Sequence, residues 1–593
     1  MALTRDDNQV RKLCAATSDE LWSQQSPRVG QWREIAEEMY PVAMPGLQST
    51  ISGVNQHHEE RLRATNAAQT ILKKGAAGFS IHLTSPARPW FELGPALRIE
   101  DDNARDAADK ALETLTDGCR AIFEASGIYN QLDKMYEHLL AFGTACMLCF
   151  PKAGIGYDRI RATTLRFGTY ALGVDADGAV NRVSRKFEYT LQQVVEAFGL
   201  AHLPQDLKDA FNRGDGVKRR YTITNLIEPN NAGNVFDEVA KLCRFKKNVP
   251  YRSVYWADFG SHAEGKILLA VRPLWFNPII APRLEMEAGD VWGRGCGIDA
   301  LPVARILSLL REDGVNVTGN LANPALLVDS SLQDVALNLD RGGLTYWNAR
   351  EGVQPTMPAI PVTQPMANLL DLEQLCKEEL NEIFLVSRFA VIDALKANPG
   401  VKTATEVNQL VRENMGLLGA IVTGLDKELL DPLVNLIASY AIELAPDFGH
   451  DVTPLLPVTE QGSGVGLKVR YVGEIHQAMK AGDLSAMERT LAFAGSLAQA
   501  NPEVLDNLDA DVSLREYADS VGSRTSIFKD PDEVAAVRQQ RMAQQQQMMQ
   551  AQMAQQGAAT LKDGSGAVKQ LSDAGISPED LANGLAGAMG GLQ

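Results

Sequence analysis

Long apolar runs are missing from this chain. Nowhere does an uncharged hydrophobic stretch approach the ~18 residues that a bilayer-spanning helix needs, and Met1 to Asp7 are polar and charged with no apolar leader core. These absences predict a soluble, unexported protein with no membrane partner. Cysteine is sparse: seven residues in 593, an odd number without the spacing of a disulfide scaffold, predict reduced thiols in a cytosolic setting. Excess positive charge is absent as well. Against 57 Lys and Arg stand 74 Asp and Glu, a net charge of −17, the reverse of what a protein that coats nucleic acid carries on its outer surface.

Signatures of chemistry are equally thin. No Gly-x-Ser-x-Gly elbow occurs. In His57-His58-Glu59-Glu60 the metalloprotease pattern fails because Leu62 stands where the second histidine belongs, and a solvated polar turn is expected. Gly293-Arg294-Gly295-Cys296-Gly297 precedes a helix, the place for a phosphate cradle. It lacks both the GxGxxG spacing and a Walker Lys-Ser/Thr, so a tight turn needing permissive φ is expected instead. Cys146-Met147-Leu148-Cys149 has the spacing of a redox pair. Its surroundings, Leu139 to Phe150, are apolar and run into a strand that would send the two thiols to opposite faces, so both are read as buried structural cysteines. No catalytic, cofactor or metal residue is assigned, and no enzyme activity is expected.

What the chain does contain is a core and a definite order of elements. Apolar residues make up 45% and charged residues 22%, which excludes wholesale disorder. Residues 9 to 40 read as two amphipathic helices, the second striped with Trp32, Ile35, Ala36 and Met39 and stopped by Pro41. A helix from about Glu60 to Leu83 breaks at Ser85-Pro86-Ala87-Arg88-Pro89-Trp90-Phe91. Helices near 103 to 125 and 128 to 142 follow, then strand texture from about 143 to 292. Within that stretch Phe167 to Val174 and Ala179 to Tyr189 flank a hairpin turn at Asp175-Ala176-Asp177-Gly178.

From Asp299 the pattern is helical again, with Pro302 in the first turn and Ile306, Leu310, Val317 and Leu321 as its stripe up to Asn323-Pro324. Ala325 to Val362 reads as strands and turns. A second helix begins near Gln364 on Leu369, Leu372, Cys376, Leu380 and Ile383, and carries Asp371, Glu373, Glu378, Glu379 and Glu382 against only Lys377. A loop is expected from Lys396 to Lys402, then a capping box at Thr403-Ala404-Thr405-Glu406 opening a long helix. That helix is interrupted at Asp431-Pro432 and resumes to Leu444; a strand, Leu467 to Val472, and further helix from Ile475 complete this part. Between Gln539 and Gln556 ten residues are Gln and four are Met, a run read as an extended helix, with a flexible tail beyond Gly557 and one short helix capped at Ser577-Pro578.

The order of these elements resembles the portal, or head-to-tail connector, proteins of short-tailed bacteriophages. The more specific points are the helix leading into Leu83-Thr84-Ser85-Pro86 with Trp90-Phe91, the hairpin at Asp175 to Gly178, and Trp292-Gly293-Arg294-Gly295 before a stem-like helix. Asn323-Pro324 after that helix and Thr403-Ala404-Thr405-Glu406 complete the set. Cys296 departs from the pattern, as does the Gln/Met-rich run. The resemblance implies an α+β portal-like protomer: a mixed α/β wing (1–298), stem helix 1 (299–323), a small clip (324–362) and stem helix 2 (363–386). A channel loop (387–402), a long wing helix with a closing strand (403–474), a crown (475–535) and a barrel-like helix with a tail (536–593) would follow.

It also implies a role. Identical subunits, twelve as the expected number, would form a ring at one capsid vertex of the virion after assembly in the host cytoplasm. Double-stranded DNA would pass through it during packaging and ejection. Its implied partners are the terminase large subunit, the major capsid and scaffolding proteins, and tail adaptor or tail proteins, with no cofactor. Lys396, Asn398 and Lys402 are then candidates for transient phosphate contacts from the channel loop, and Asp371, Glu378 and Glu382 for an acidic channel face. The competing readings are another phage assembly protein, a scaffold or tail adaptor, and a thiol oxidoreductase built on Cys146 and Cys149.

Overall fold

Helical periodicity near the N-terminus becomes, in the computed structural model, α1 (Arg5–Gln25), α2 (Val29–Met39) and α3 (Ala67–His82). Strand β1 (Phe91–Pro95) follows a short run of turns and bends that contains Pro86, where an extended exit was expected from the two prolines, and α4 (Asp102–Ala125) and α5 (Ile128–Phe142) come next. Then come strands β2 (Met147–Pro151), β3 (Ile160–Thr164), β4 (Tyr170–Val174) and β5 (Val180–Thr190), helices α6 (Leu191–Phe198) and α7 (Gln205–Arg213), and strands β6 (Arg220–Pro229), β7 (Tyr251–Asp258), β8 (Lys266–Leu274) and β9 (Ile279–Ile280). Helix α8 (Cys296–Ala322), strands β10 (Leu326–Leu327) and β11 (Met357–Pro358), helices α9 (Met366–Ile383), α10 (Val386–Ala397) and α11 (Asp431–Leu444), strand β12 (Leu467–Tyr471) and helix α12 (Glu474–Ala498) follow.

The structure describes residues 5–47, 65–95, 102–152, 156–201, 203–214, 218–230, 249–259, 266–287, 289–322, 326–327, 357–358, 366–397, 418–444, 467–498, 508–509, 512–514, 517, 534 and 536–549. They fall in two units, Met1–Asn507 and Leu508–Gln593. In the second, the described Gln/Met-rich residues 536–549 are helical and exposed, as their composition predicts. The predicted polar turn at His57 to Glu60, the capping box at Thr403 to Glu406 and the tail beyond Gly557 lie outside the described residues.

Five antiparallel strands form one sheet in the order β4-β5-β6-β7-β8. Period-two alternation splits its side chains between two covers. Leu226, Val254, Trp256 and Leu268 pack under α1 through Val10, Cys14 and Leu21. Ile223, Tyr255, Ala257 and Leu269 face α6 and α7 through Leu191, Val194 and Leu207. The expected hairpin forms: Gly178 takes φ +83°, and the Asp175 carboxylate accepts from the N–H groups of Asp177 and Ala179 at 3.0 and 2.8 Å. A second sheet has the order β3-β2-β9, and β1 pairs with β12 in register Phe91 to Tyr471, tying the start of the unit to its end.

Apart from these two covers, a third contiguous core joins the long helices. It joins Trp32 and Ile35 of α2 and Leu139 and Phe142 of α5 to Ala300 and Leu307 of α8, Leu380 of α9, Phe384 just after it, and Leu433 and Ile437 of α11. Trp32 sets edge-on contacts to Phe167 and Trp292 at 4.9 and 4.8 Å between centroids, and Phe167 stacks on Phe142 at 4.0 Å, an aromatic knot at its centre.

Three expectations need correction. The strand-rich stretch contains α6 and α7; α6 opens on a capping box in which Thr190 accepts from Gln193 N–H while the Gln193 side chain accepts from Thr190 N–H. The segment 387–402 was expected as a loop, but Val386–Ala397 is helical, because Phe389 and Ile392 continue a buried stripe and no glycine or proline stops it before Pro399. Finally, the long helix is not broken at Asp431-Pro432. Residues 418–425 continue through a π-helical turn, Asp426–Leu430, into α11, with Asp431 N–H bonding the Asp426 carbonyl; the extra residue accommodates a proline that has no N–H to give.

That π turn and the first residue of α11 aim three carboxylates at three different parts of the chain. Asp426 meets Nε2 of His476 on α12 at 3.0 Å, Asp431 accepts from the Tyr471 hydroxyl on β12 at 2.5 Å, and Glu428 takes the Arg283 guanidinium at 2.7 and 3.2 Å plus the Arg283 N–H at 2.8 Å. Arg283 is buried and also donates to the Gly178 carbonyl of the hairpin at 2.9 Å. Breaking a buried ion pair from one side leaves an uncompensated charge and costs about 3–5 kcal/mol. Glu428→Ala is expected to destabilise by that amount in chemical unfolding, and Glu428→Leu combined with Arg283→Met by clearly less. Equal losses would show that the pair contributes packing and not charge compensation.

Candidate functional site

Helix α8 begins on the glycine stretch that the sequence offered as a cradle or a tight turn. Neither description holds. Gly293, Gly295 and Gly297 do not take positive φ; the position that does is Gly143, at +79°, where α5 ends. The glycines serve close approach. A Cβ on Gly295 would lie 2.3 Å from the Gly143 nitrogen, one on Gly293 2.4 Å from the Gly143 oxygen, and one on Gly297 2.1 Å from the Ala141 oxygen. Two hydrogen bonds clamp the seam, Leu284 N–H to the Gly143 carbonyl at 2.8 Å and Gly293 N–H to the Thr144 hydroxyl at 2.9 Å. Backbone of the α5–β2 turn therefore fills the space that a bound phosphate would need.

From this anchor α8 and α9 pack along one another. Arg311 of α8 reaches Glu373 of α9 at 3.4 Å, and Lys377 reaches the same carboxylate at 2.7 Å. The Lys377 hydrogen bond, with Arg311 nearby, holds the Glu373 carboxyl below its ordinary range. Past the ends of the two helices β10 and β11 pair antiparallel, Leu326 with Pro358 and Leu327 with Met357, so the segment between them leaves and returns at one place.

Asp371, Glu378 and Glu382 are all exposed on α9. Their separations of seven and four residues put them on one face. Glu378 and Glu382 also wall a cleft between α9 and α10, with Leu375, Ser387, Arg388 and Val391. Of the three basic-loop candidates, Lys396 belongs to the last turn of α10, and Asn398 and Lys402 lie outside the described residues, so the structure does not bring the three together.

Sequence reasoning missed the π-turn carboxylates. A proline deep in a strongly apolar helical pattern, Pro432 after Asp431, was the available signal. It also missed Glu474 at the start of α12, which accepts from His82 of α3 at 2.9 Å and pairs with Arg88.

Cys146 and Cys149 are fully buried. Burial pushes the Cys149 thiol up to about 12 and the Cys146 thiol upward as well, against the lowered, accessible thiol that a redox pair needs. Among the described residues no group of three or more His, Cys, Asp and Glu side chains is placed to hold a metal ion, and no helix is long and apolar enough to cross a membrane.

The family model described as "Bacteriophage head to tail connecting protein" matches residues 11–528. A probable portal protein of Bordetella phage BPP-1 is 29% identical over 551 residues, covering 93% of this chain and 94% of the relative. The portal protein of Salmonella phage epsilon15 is 27% identical over 597 residues and 100% of both chains. Among solved structures, a chain of the virion of a native gene transfer agent particle aligns with 10% identity over 82% of this chain and 99% of that one, at a TM-score of 0.29.

Two expectations follow from the geometry. Gly143→Ala places a Cβ 2.2 Å from the Arg294 carbonyl carbon on a left-handed backbone, and should destabilise by about 3 kcal/mol or more in chemical unfolding. Gly118→Ala, with open space around it inside α4, should instead stabilise by about 0.5–1 kcal/mol. For the thiols, a folded value raised well above the unfolded one of about 8.5 means that their contribution to stability is present below about pH 8.5 and is lost as pH rises toward 12. At pH 8 iodoacetamide should label Cys149 in the folded protein at least ~1000-fold more slowly than in denaturant; comparable rates would mean that the thiol is accessible.

Proposed function

Because the chain belongs to the bacteriophage head-to-tail connecting protein family, we propose that it works as a portal protein, the virion component that connects head to tail at one capsid vertex. The observation that carries the reading is the family match across residues 11–528, and the glycine-anchored pair α8 and α9 supports it. The pair leaves one contiguous core, and its intervening segment is closed at its base by β10 and β11.

In this reading α8 and α9 are the stem, 324–362 the clip, 1–298 and 403–474 the wing, 475–535 the crown and 536–593 a barrel-like helix with a tail. The channel loop shrinks to the residues after Ala397. One heterologous interface repeated about an axis closes a ring, with twelve subunits as the expected number. Double-stranded DNA passes through it in packaging and ejection. The terminase large subunit, the major capsid and scaffolding proteins and the tail adaptor or tail proteins dock on its outer surfaces.

Charge decides how DNA is handled. Helix α9 has 18 residues and spans roughly 27 Å, beside which a duplex carries about sixteen charges at one per 1.7 Å. A basic wall would pair many of these and hold the duplex. A wall bearing Asp371, Glu378 and Glu382 repels it and leaves it free to slide, while Lys396, Asn398 and Lys402 offer only brief contacts, screened within about 8 Å at physiological salt.

Light scattering and electron microscopy of the purified chain should show closed rings with an axial channel. Rings carrying Asp371→Lys, Glu378→Lys and Glu382→Lys should assemble, yet bind duplex DNA at low salt with an affinity that falls steeply as salt rises, where wild-type rings bind weakly. A stable monomer or dimer at micromolar concentration would overturn the portal reading; rings whose DNA binding ignores the lysine substitutions would overturn the acidic-channel assignment.

A further inference from the structure

Between Met366 and Ala397 the chain has no glycine and no proline, and its Leu, Glu, Lys and Ala content favours one uninterrupted helix. It nevertheless bends. Helix α9 stops at Ile383 and α10 starts at Val386, and at the junction Leu385 takes φ +62°. Among the described residues it is the one non-glycine with positive φ, a conformation that helix ends ordinarily reserve for glycine. A large side chain there is strained.

The strain is imposed by what the flanking residues touch. Phe384 is fully buried, and its carbonyl lies so close to α3 that a Cβ on Gly75 would sit 2.4 Å from it. One turn further along α3, a Cβ on Gly78 would sit 2.2 Å from the Phe389 ring. That ring is 4% exposed, meets Phe79 edge-on at 5.1 Å and stacks on His82 at 5.5 Å. Two glycines on one face of α3 thus form a seat for the residues on either side of the bend. A straight helix could not place both on it. Local preference and tertiary contact oppose each other over four residues.

We infer that the α9–α10 junction is a two-state hinge: bent while Phe384 and Phe389 occupy the Gly75 and Gly78 seat on α3, and a single continuous helix when they leave it. Burial of the two rings favours the bent state, and relief of Leu385 favours the straight one. The cleft lined by Leu375, Glu378, Glu382, Ser387, Arg388 and Val391 is the inside of the bend, bridged by Arg388 and Glu382 at 3.5 Å, and it would vanish on straightening. The hinge does not depend on the portal reading; if that reading holds, straightening would carry Lys396, at the far end of α10, away from α3.

The test measures spin-label distances between positions 375 and 391, with labels attached by non-cysteine chemistry and labelled subunits diluted into unlabelled ones. In a straight helix the sixteen intervening steps separate the two backbone positions by about 24 Å; in the bent state both line one cleft. The full-length protein should give the short distance. Phe389→Ala, which removes the ring without a clash, should add a population near the long distance. Leu385→Gly placed on Phe389→Ala should restore the short one, shifting the ratio about 5- to 30-fold toward bent, since glycine relieves the strain and weakens the straight helix as well. A short distance alone in Phe389→Ala overturns the hinge. So does a broad distribution without the long-distance maximum, or a long-distance population that Leu385→Gly leaves unchanged.

Discussion

The direction in which α8 leaves the core depends on one seam where two backbones touch without side chains between them. Gly143 faces Gly293 and Gly295, and Gly297 faces the Ala141 carbonyl, at separations that no Cβ could occupy. Only at such spacing can the N–H of Leu284 reach the Gly143 carbonyl and the N–H of Gly293 reach the Thr144 hydroxyl. The seam fixes the end of α5, whose last five residues are all buried, against the start of α8, and so sets the angle at which α8 and its partner α9 depart. Interiors at crystal-like density transmit such constraints with little give.

A second joint, the π turn at Asp426–Leu430, works by charge where the seam works by absence of bulk. In an α-helix successive carboxylates two and five residues apart would leave the axis in directions fixed by the 100° step. The inserted residue changes that phase, and Asp426, Glu428 and Asp431 reach α12, the segment after β9, and β12. His476 and Arg283 are buried and Tyr471 is half-buried, so each bond replaces water that the side chain has lost. The Tyr471 hydroxyl records this: burial and then the Asp431 carboxylate push its titration far upward. Glu428 and Gly178 together hold Arg283, and in this way the hairpin of the five-stranded sheet is tied to the long helix.

How much of this was legible depends on the range of the interaction. Local signals were read correctly: the stripe Trp32, Ile35, Ala36, Met39 is the buried face of α2, Asp175 to Gly178 is a hairpin turn, and the helices near 299 and 364 are present. The capping box at Thr190 was equally local and was overlooked because the surrounding texture reads as strand. Gly293, Gly295 and Gly297 were noticed but given the wrong reason. A glycine needed for φ and one needed for close approach look alike until the opposing backbone, here Gly143, is known. The partners of the π-turn carboxylates are beyond sequence reasoning altogether, since nothing local in Glu428 points to Arg283. Of the site candidates, Asp371, Glu378 and Glu382 share an exposed face because helical spacing is a local rule. Lys396 belongs to a helix because Phe389 and Ile392 find a tertiary seat, which spacing alone could not reveal.

Seam, π turn and bend share a physical logic. Each is a place where local preference yields to a contact made from far along the chain, and each lies at an end or a junction of the helices α8, α9, α10 and α11. Between these joints the helices contribute to one shared core, so strain is concentrated at the joints instead of being spread along the elements. The joints are unequal in what they tolerate. The seam has no slack, because its contacts are backbone to backbone and any displacement opens two hydrogen bonds at once. The π turn can lose one carboxylate and keep two. The bend at Leu385 is held against the preference of its own sequence by two phenylalanines, and its backbone is already displaced from a helical minimum toward which it can relax. Of the three, the bend therefore stands nearest in free energy to an alternative arrangement, and a motion that leaves the core intact has to begin there.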